Sequence, residues 1–178
     1  MAQLARYLEA EGWRTYSCDL VPSWGQEGMD VLAGQLQAFV AERLPAGEPF
    51  DLVGYSMGGL VGRYYLQRLD GLKRVRRFVT IATPHRGSLL AYAYGNPGFR
   101  QMRPGSEFLR DLDRDVNRLA PTGFTSLWTP LDLIVLPARS SVVPTARCRK
   151  VWALGHPFMV WQRHCHRAVA ESLGETAP

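Results

Sequence analysis

The sequence predicts an α/β fold, a single domain built on a mostly parallel sheet with helices on both faces. Three observations carry this. Segments of helical and strand periodicity alternate along the 178 residues, the pattern of strand–helix–strand crossovers. The balance of 46% apolar and 21% charged residues is that of a globular chain able to close one core. The run Phe50-Asp-Leu-Val-Gly-Tyr-Ser-Met-Gly-Gly passes from an apolar strand directly into a glycine-rich helix start.

Residues 2–11 read as a helix with Leu4, Tyr7 and Leu8 on one side and Gly12 as its stop. Residues 13–19 read as a strand that ends at the Pro22-Ser-Trp-Gly loop. A second helix covers 27–44, where Leu32, Leu36, Phe39, Val40 and Leu44 recur at helical spacing. A strand at 50–55 and a helix at 58–69 follow, then a strand at 76–82. The four Gly and three Pro of 83–105 predict a loop. Ser106 suits the N-cap of a helix over 106–119, the ordinary crossover between two strands or a mobile lid. Strands at 124–128 and 149–154 and a helix at 158–173 complete the order.

The net charge is +5, from 21 Lys and Arg against 16 Asp and Glu. The basic residues gather at Lys73-Arg-Val-Arg-Arg77 and around Arg147, Arg149 and Lys150. Both groups precede apolar stretches and lack any recognition motif, so they read as solvated loops and not as a nucleic-acid surface. No apolar run approaches the ~20 residues of a membrane span. The amphipathic N-terminus is not a signal peptide. Cys18, Cys148 and Cys165 are too few and too scattered for a disulfide framework or zinc site. They read as the reduced thiols of a cytoplasmic protein. No cofactor is called for, and no histidine pair has metal-ligand spacing.

The chemistry gathers at Gly54-Tyr-Ser-Met-Gly58. A G-x-S-x-G between strand and helix holds its serine in a strained turn with the hydroxyl thrust outward. Side chains at 54 and 58 are expected to collide with that turn. The Met57 N–H then sits at a helix N-terminus, where developing negative charge is favoured. A serine hydroxyl needs a base, and the base needs an orienting acid. Asp132, among apolar neighbours just past the 124–128 strand, is the acid candidate. His156, bracketed by Gly155 and Pro157 after the last strand, is the base candidate. Asp111, Asp113 and Asp115 read as a solvated helical face. His164 and His166, two apart on a helix, face different ways. His85 precedes the acid and breaks the chain order of nucleophile, acid, base.

These residues resemble the small bacterial lipases and esterases of the α/β-hydrolase superfamily, the triacylglycerol-lipase-like group. Four segments carry the likeness: Gly54-Tyr-Ser-Met-Gly-Gly, Thr80-Ile-Ala-Thr-Pro-His-Arg-Gly-Ser, Phe124-Thr-Ser-Leu-Trp-Thr-Pro-Leu-Asp-Leu-Ile-Val and Leu154-Gly-His. The resemblance implies an α/β-hydrolase fold and hydrolysis of a carboxylic ester, lipid-like in character, through an acyl-enzyme on Ser56. It carries the roles of base and acid to His156 and Asp132, and one oxyanion donor to Met57. Tyr55, His85 and Arg86 would line the substrate side. A small ester or a lipid is the implied partner, with peripheral lipid contact and no integral membrane segment. An acyltransferase on the same triad, amide or thioester hydrolysis, and a non-catalytic interaction domain remain open.

The likeness departs at the beginning. Members of the group have an apolar strand ahead of the first helix, ending in a His-Gly-type loop that donates a second oxyanion N–H. This chain starts at Met1 within what resembles that helix. The expectation is that Met1 is an internal methionine of a longer protein. Without the earlier strand, 13–19 and 50–55 each lose a hydrogen-bonding neighbour. Without the loop, one oxyanion donor is lost, at about 10²–10³ in rate.

Overall fold

In the computed structural model, which describes residues 1–175, the four strands β1 (Phe50–Tyr55), β2 (Val75–Ile81), β3 (Gly123–Trp128) and β4 (Arg147–Lys150) lie side by side in that order. All three pairings are parallel. Side chains alternate across a strand, and β2 shows the result. Phe78 packs into one core with Leu32, Leu36, Leu60, Leu66 and Leu109. Val79 and Ile81 pack into another with Leu4, Leu8, Leu127 and Val169. The helices α2 (Met29–Arg43) and α3 (Met57–Arg68) therefore cover one face, and α1 (Ala2–Ala10) and α6 (Arg163–Gly174) the other.

The predicted strand at 13–19 is not one. The segment reads as a strand locally, but no strand among the described residues lies beside the outer edge of β1 to pair with it. Residues 147–150 form β4 itself, so the basic cluster there is strand rather than loop. Beyond Val151 the chain leaves the sheet, exposing Trp152 and Leu154. The predicted loop 83–105 holds a 3-10 turn at Leu89–Ala93 and the short helix α4 (Pro97–Gln101). The helix expected over 106–119 is capped by the Ser106 hydroxyl but divides into α5 (Glu107–Arg114) and a 3-10 turn at Val116–Leu119. The last helix is likewise preceded by a 3-10 turn, Pro157–Val160. None of the described helices is long and apolar enough to cross a membrane.

The acidic run 111–115 is partly solvated, as expected, and also serves as a clamp. Arg63 of α3 is fully buried, and its guanidinium donates to Asp113 at 2.7 Å and to Gln67 at 3.1 Å. Arg68 donates to Asp111 at 2.9 Å and to Asp115 at 2.8 Å. These pairs fasten α5 to the helix that begins at the serine. Breaking one partner of a buried cation leaves that cation undercompensated, even though Asp113 itself is half exposed. Asp113→Ala is expected to lower unfolding stability by about 1–3 kcal/mol, read from the midpoint of a urea transition.

Candidate active site

One residue separates β1 from α3. Ser56 takes φ 53°, ψ −124°, a strained conformation for a residue with a side chain. Its N–H donates to the Ile81 carbonyl at 2.8 Å, which anchors the turn to the neighbouring strand. A methyl group at Gly54 would stand 2.6 Å from the Gly59 Cα and 2.8 Å from the Gly58 carbonyl, so glycine is required there. Position 58 differs from expectation: a methyl group would meet nothing within 4 Å. The crowded position is Gly59, where a Cβ would fall 2.0 Å from the Thr83 hydroxyl and 2.9 Å from the Thr83 Cβ. The helix is pressed against the loop after β2, and that approach selects glycine.

The three side chains singled out in the sequence meet at the carboxyl ends of the strands. His156 Nε2 lies 2.9 Å from Ser56 Oγ, and His156 Nδ1 lies 2.8 Å from Asp132 Oδ2. Asp132 is 3% exposed. Its other oxygen accepts the N–H groups of Ile134 at 2.9 Å and Val135 at 2.8 Å. A carboxylate only accepts, so the imidazole donates from Nδ1 and turns its Nε2 lone pair toward the serine. Ser88 fixes the acid's loop: its hydroxyl donates to the Ile134 carbonyl at 2.7 Å and accepts from the Leu136 N–H at 3.0 Å.

Ser56 and Met57 open onto an apolar cavity of about 180 Å³, walled by Trp24, Leu90, Ala91, Phe99, Met102 and Val135 among others. None of these six is a candidate site residue in the sequence. Trp24, Leu90, Ala91, Phe99 and Met102 lie in segments that read as loops, Val135 follows the acid, and only the folded chain brings them around the serine. Ser88 lines the cavity too and lies in the Thr-Pro-His-Arg-Gly-Ser segment, which was the available signal.

Tyr55, His85 and Arg86 do not line this cavity. Tyr55 packs against His156, with ring centroids 5.0 Å apart. His85 is fully buried on the other side of its loop, its Nε2 3.0 Å from the Thr80 hydroxyl and its ring edge-on to Phe124. Its carbonyl accepts from Arg63 at 3.4 Å. Arg86 is exposed and borders a separate depression with Arg63 and Asp113. Both residues lie in the loop after β2, with His85 buried and Arg86 exposed, and neither is in the lining of the serine's cavity. Burial, seconded by the Arg63 charge, holds the His85 imidazole well below its ordinary 6.5. His164 is exposed and bonds the Trp152 carbonyl, and buried His166 bonds the Val160 carbonyl.

Comparison with known proteins gives likenesses of three kinds. Residues 25–100 match the palmitoyl protein thioesterase family. Triacylglycerol lipases of Pseudarthrobacter phenanthrenivorans and Burkholderia plantarii are each 31% identical over 121 residues, 67% of this chain. The match spans 31% and 28% of those curated relatives' own lengths, about three-tenths. Among solved structures, Aspergillus fumigatus lipase B superposes with a TM-score of 0.74 at 16% identity, over 89% of this chain and 44% of that one. The mature form of a Bacillus licheniformis lipase gives 0.61 at 19% identity, over 83% and 73%. At these identities the structural likeness speaks to the fold.

The two glycines should separate cleanly. Gly59→Ala is expected to cost about 1–3 kcal/mol from overpacking, whereas Gly58→Ala is neutral or stabilising by up to about 1 kcal/mol from helix propensity; thermal melts of the two variants check this. His85 supplies a pH test. Its folded pKa lies below its unfolded one, so below about pH 6.5 the unfolded chain takes up a proton that the folded chain refuses. Stability is therefore whole above 6.5 and falls as pH drops, at up to about 1.4 kcal/mol per pH unit. Melting temperatures from pH 7.5 to 5 should show the loss, and His85→Gln should flatten it.

Proposed function

This chain belongs to the α/β-hydrolase superfamily, and on that premise we propose that it is a lipase- or esterase-like serine hydrolase, cleaving carboxylic esters through an acyl-enzyme on Ser56. The observation that carries the reading is the unbroken pair of hydrogen bonds, 2.9 Å from serine to imidazole and 2.8 Å from imidazole to carboxylate, beside an apolar cavity.

The steps follow from that geometry. Ser56 Oγ attacks the ester carbonyl carbon as His156 Nε2 takes its proton. Asp132 keeps the imidazole oriented and offsets the positive charge it gains. The carbonyl oxygen becomes an oxyanion, and the Met57 N–H at the start of α3 donates to it. The intermediate collapses, His156 returns the proton to the departing alcohol, and the acyl group stays on Ser56. Water then attacks the acyl-enzyme with His156 again as base. The carboxylic acid leaves and the serine regains its proton.

A lipid-like substrate fits the surroundings. Trp24 and Ile134 line the cavity and are also exposed, and Leu89 and Leu133, next in the chain to the lining residues Leu90 and Ile134, are exposed too. This apolar rim suits an acyl chain and peripheral contact with lipid. A second reading, thioester hydrolysis by the same acyl-enzyme route, is favoured by the palmitoyl protein thioesterase match, whose span includes Ser56 and much of the cavity wall.

A fluorophosphonate probe should label the folded protein, and Ser56→Ala should abolish labelling. Asp132→Asn should lower kcat by about 10⁴-fold. Rates on p-nitrophenyl esters against acyl thioesters of equal chain length decide between the two substrate readings. Well-folded protein that takes no label would overturn the enzymatic reading and leave an interaction domain.

A further inference from the structure

Tyr55 was expected on the substrate side of the site, yet it lies behind the imidazole. It is the last residue of β1 and the residue directly before Ser56. Its ring rests on the His156 ring, centroids 5.0 Å apart and planes 36° from parallel. Its hydroxyl donates to the His156 carbonyl at 3.2 Å. One side chain thus grips both the ring and the main chain of the base, from the same piece of backbone that sets the serine.

That grip falls on the loop that carries the base. His156 follows Gly155, at φ 139°, and precedes a single 3-10 turn. The outer side of this stretch carries the exposed Trp152, Leu154 and Trp161. Three other side chains also hold this stretch: the Thr129 hydroxyl donates to the Ala153 carbonyl at 2.9 Å, Asp132 accepts from the His156 Nδ1–H at 2.8 Å, and His164 bonds the Trp152 carbonyl at 3.0 Å. Of these and Tyr55, Tyr55 alone comes from the strand that carries the serine. An imidazole free to swing by 1 Å loses the hydrogen bond through which it takes the serine's proton, and misplacement of that size costs about 10²-fold in rate. The phenol also remains a donor over the working pH range, since burial and the nearby Asp132 charge raise its pKa.

We propose that Tyr55 is a positioning residue, which locks the His156 imidazole in register with the Ser56 hydroxyl through its ring face and its bond to the His156 carbonyl. This rests on the serine-hydrolase reading above.

The test compares wild type with Tyr55→Phe, which keeps the ring, and Tyr55→Leu, which keeps neither ring nor hydroxyl. Three quantities are read: the second-order rate of fluorophosphonate inactivation, kcat and KM on p-nitrophenyl butyrate, and the low-field proton resonance of the His156 Nδ1–H. Tyr55→Leu should lose tenfold or more in inactivation rate and in kcat, hold KM within about twofold, and broaden or lose the low-field resonance. Tyr55→Phe should recover part of each. A folded Leu variant that is inactivated at the wild-type rate overturns the proposal, as does one whose KM rises while kcat stands. If the Leu variant does not fold, Tyr55→Phe decides alone: a threefold or greater loss of inactivation rate supports the lock, and an unchanged rate overturns it. Failure of the underlying reading looks different, because wild type itself would then take no label.

Discussion

Strand β1 becomes helix α3 across a single residue, and the geometry of the rest of the site descends from that junction. With only Ser56 to turn the chain, its backbone is driven to φ 53°, and the hydroxyl points off the end of the sheet. The same tightness brings Gly59 within reach of Gly54. It also presses α3 onto the loop leaving β2, where Thr83 sits against Gly59. Strain of this kind persists only where the surroundings over-determine it. Here they do so from three sides: the Ile81 carbonyl holds the serine's amide, the β1–β2 ladder runs in register from Asp51 to Tyr55, and the buried Arg63 ties the helix to α5 and to the His85 carbonyl.

The acid and base reach the serine on loops, which are intrinsically looser than the strands that bear them. Each is fastened by a hydroxyl group. Ser88 bridges the Ile134 carbonyl and the Leu136 amide on the acid's loop, and Thr129 holds the Ala153 carbonyl ahead of the base. Two main-chain amides then saturate one oxygen of Asp132 and leave the other for the imidazole. A buried carboxylate supported in this way cannot rotate without leaving polar groups unpaired, and that cost is what orients His156.

Much of this was legible in the sequence because it depends on short-range pattern. Ser56, Asp132 and His156 each follow an apolar run and sit among Gly or Pro, so their common end of a parallel sheet could be read without coordinates. The features that escaped depend on contacts across the chain. Positions 58 and 59 are both glycine, and composition cannot say which one faces Thr83. Asp111, Asp113 and Asp115 look like surface charges until Arg63 and Arg68, more than 40 residues earlier, are brought beside them. Tyr55, His85 and Arg86 stand close to the serine in the chain or in the strand order, but the partners each side chain meets, His156 for Tyr55 and Thr80 and Phe124 for His85, come from elsewhere in the fold. The cavity wall assembles from residues 23–25, 88–102 and 134–135, segments with no periodicity to reveal them.

The residues at 13–19 show the limit most plainly. Their pattern is that of a strand, yet strand formation is a property of a pair, since each unpaired N–H and C=O forgoes a hydrogen bond. Among the described residues β1 is paired on the β2 side alone, and its Leu52 and Val53 are only partly buried. Among the described residues the strand that carries the serine is held by the β2 ladder and by α3. A shift of its last residue moves the serine hydroxyl with it. The strand gains a second anchor if its terminal residue also holds the histidine loop, because any drift of β1 then carries the imidazole along with the serine. On the proposed role of Tyr55, nucleophile and base are tied to the same strand end, so the distance between them depends on one side chain and not on two separate loops.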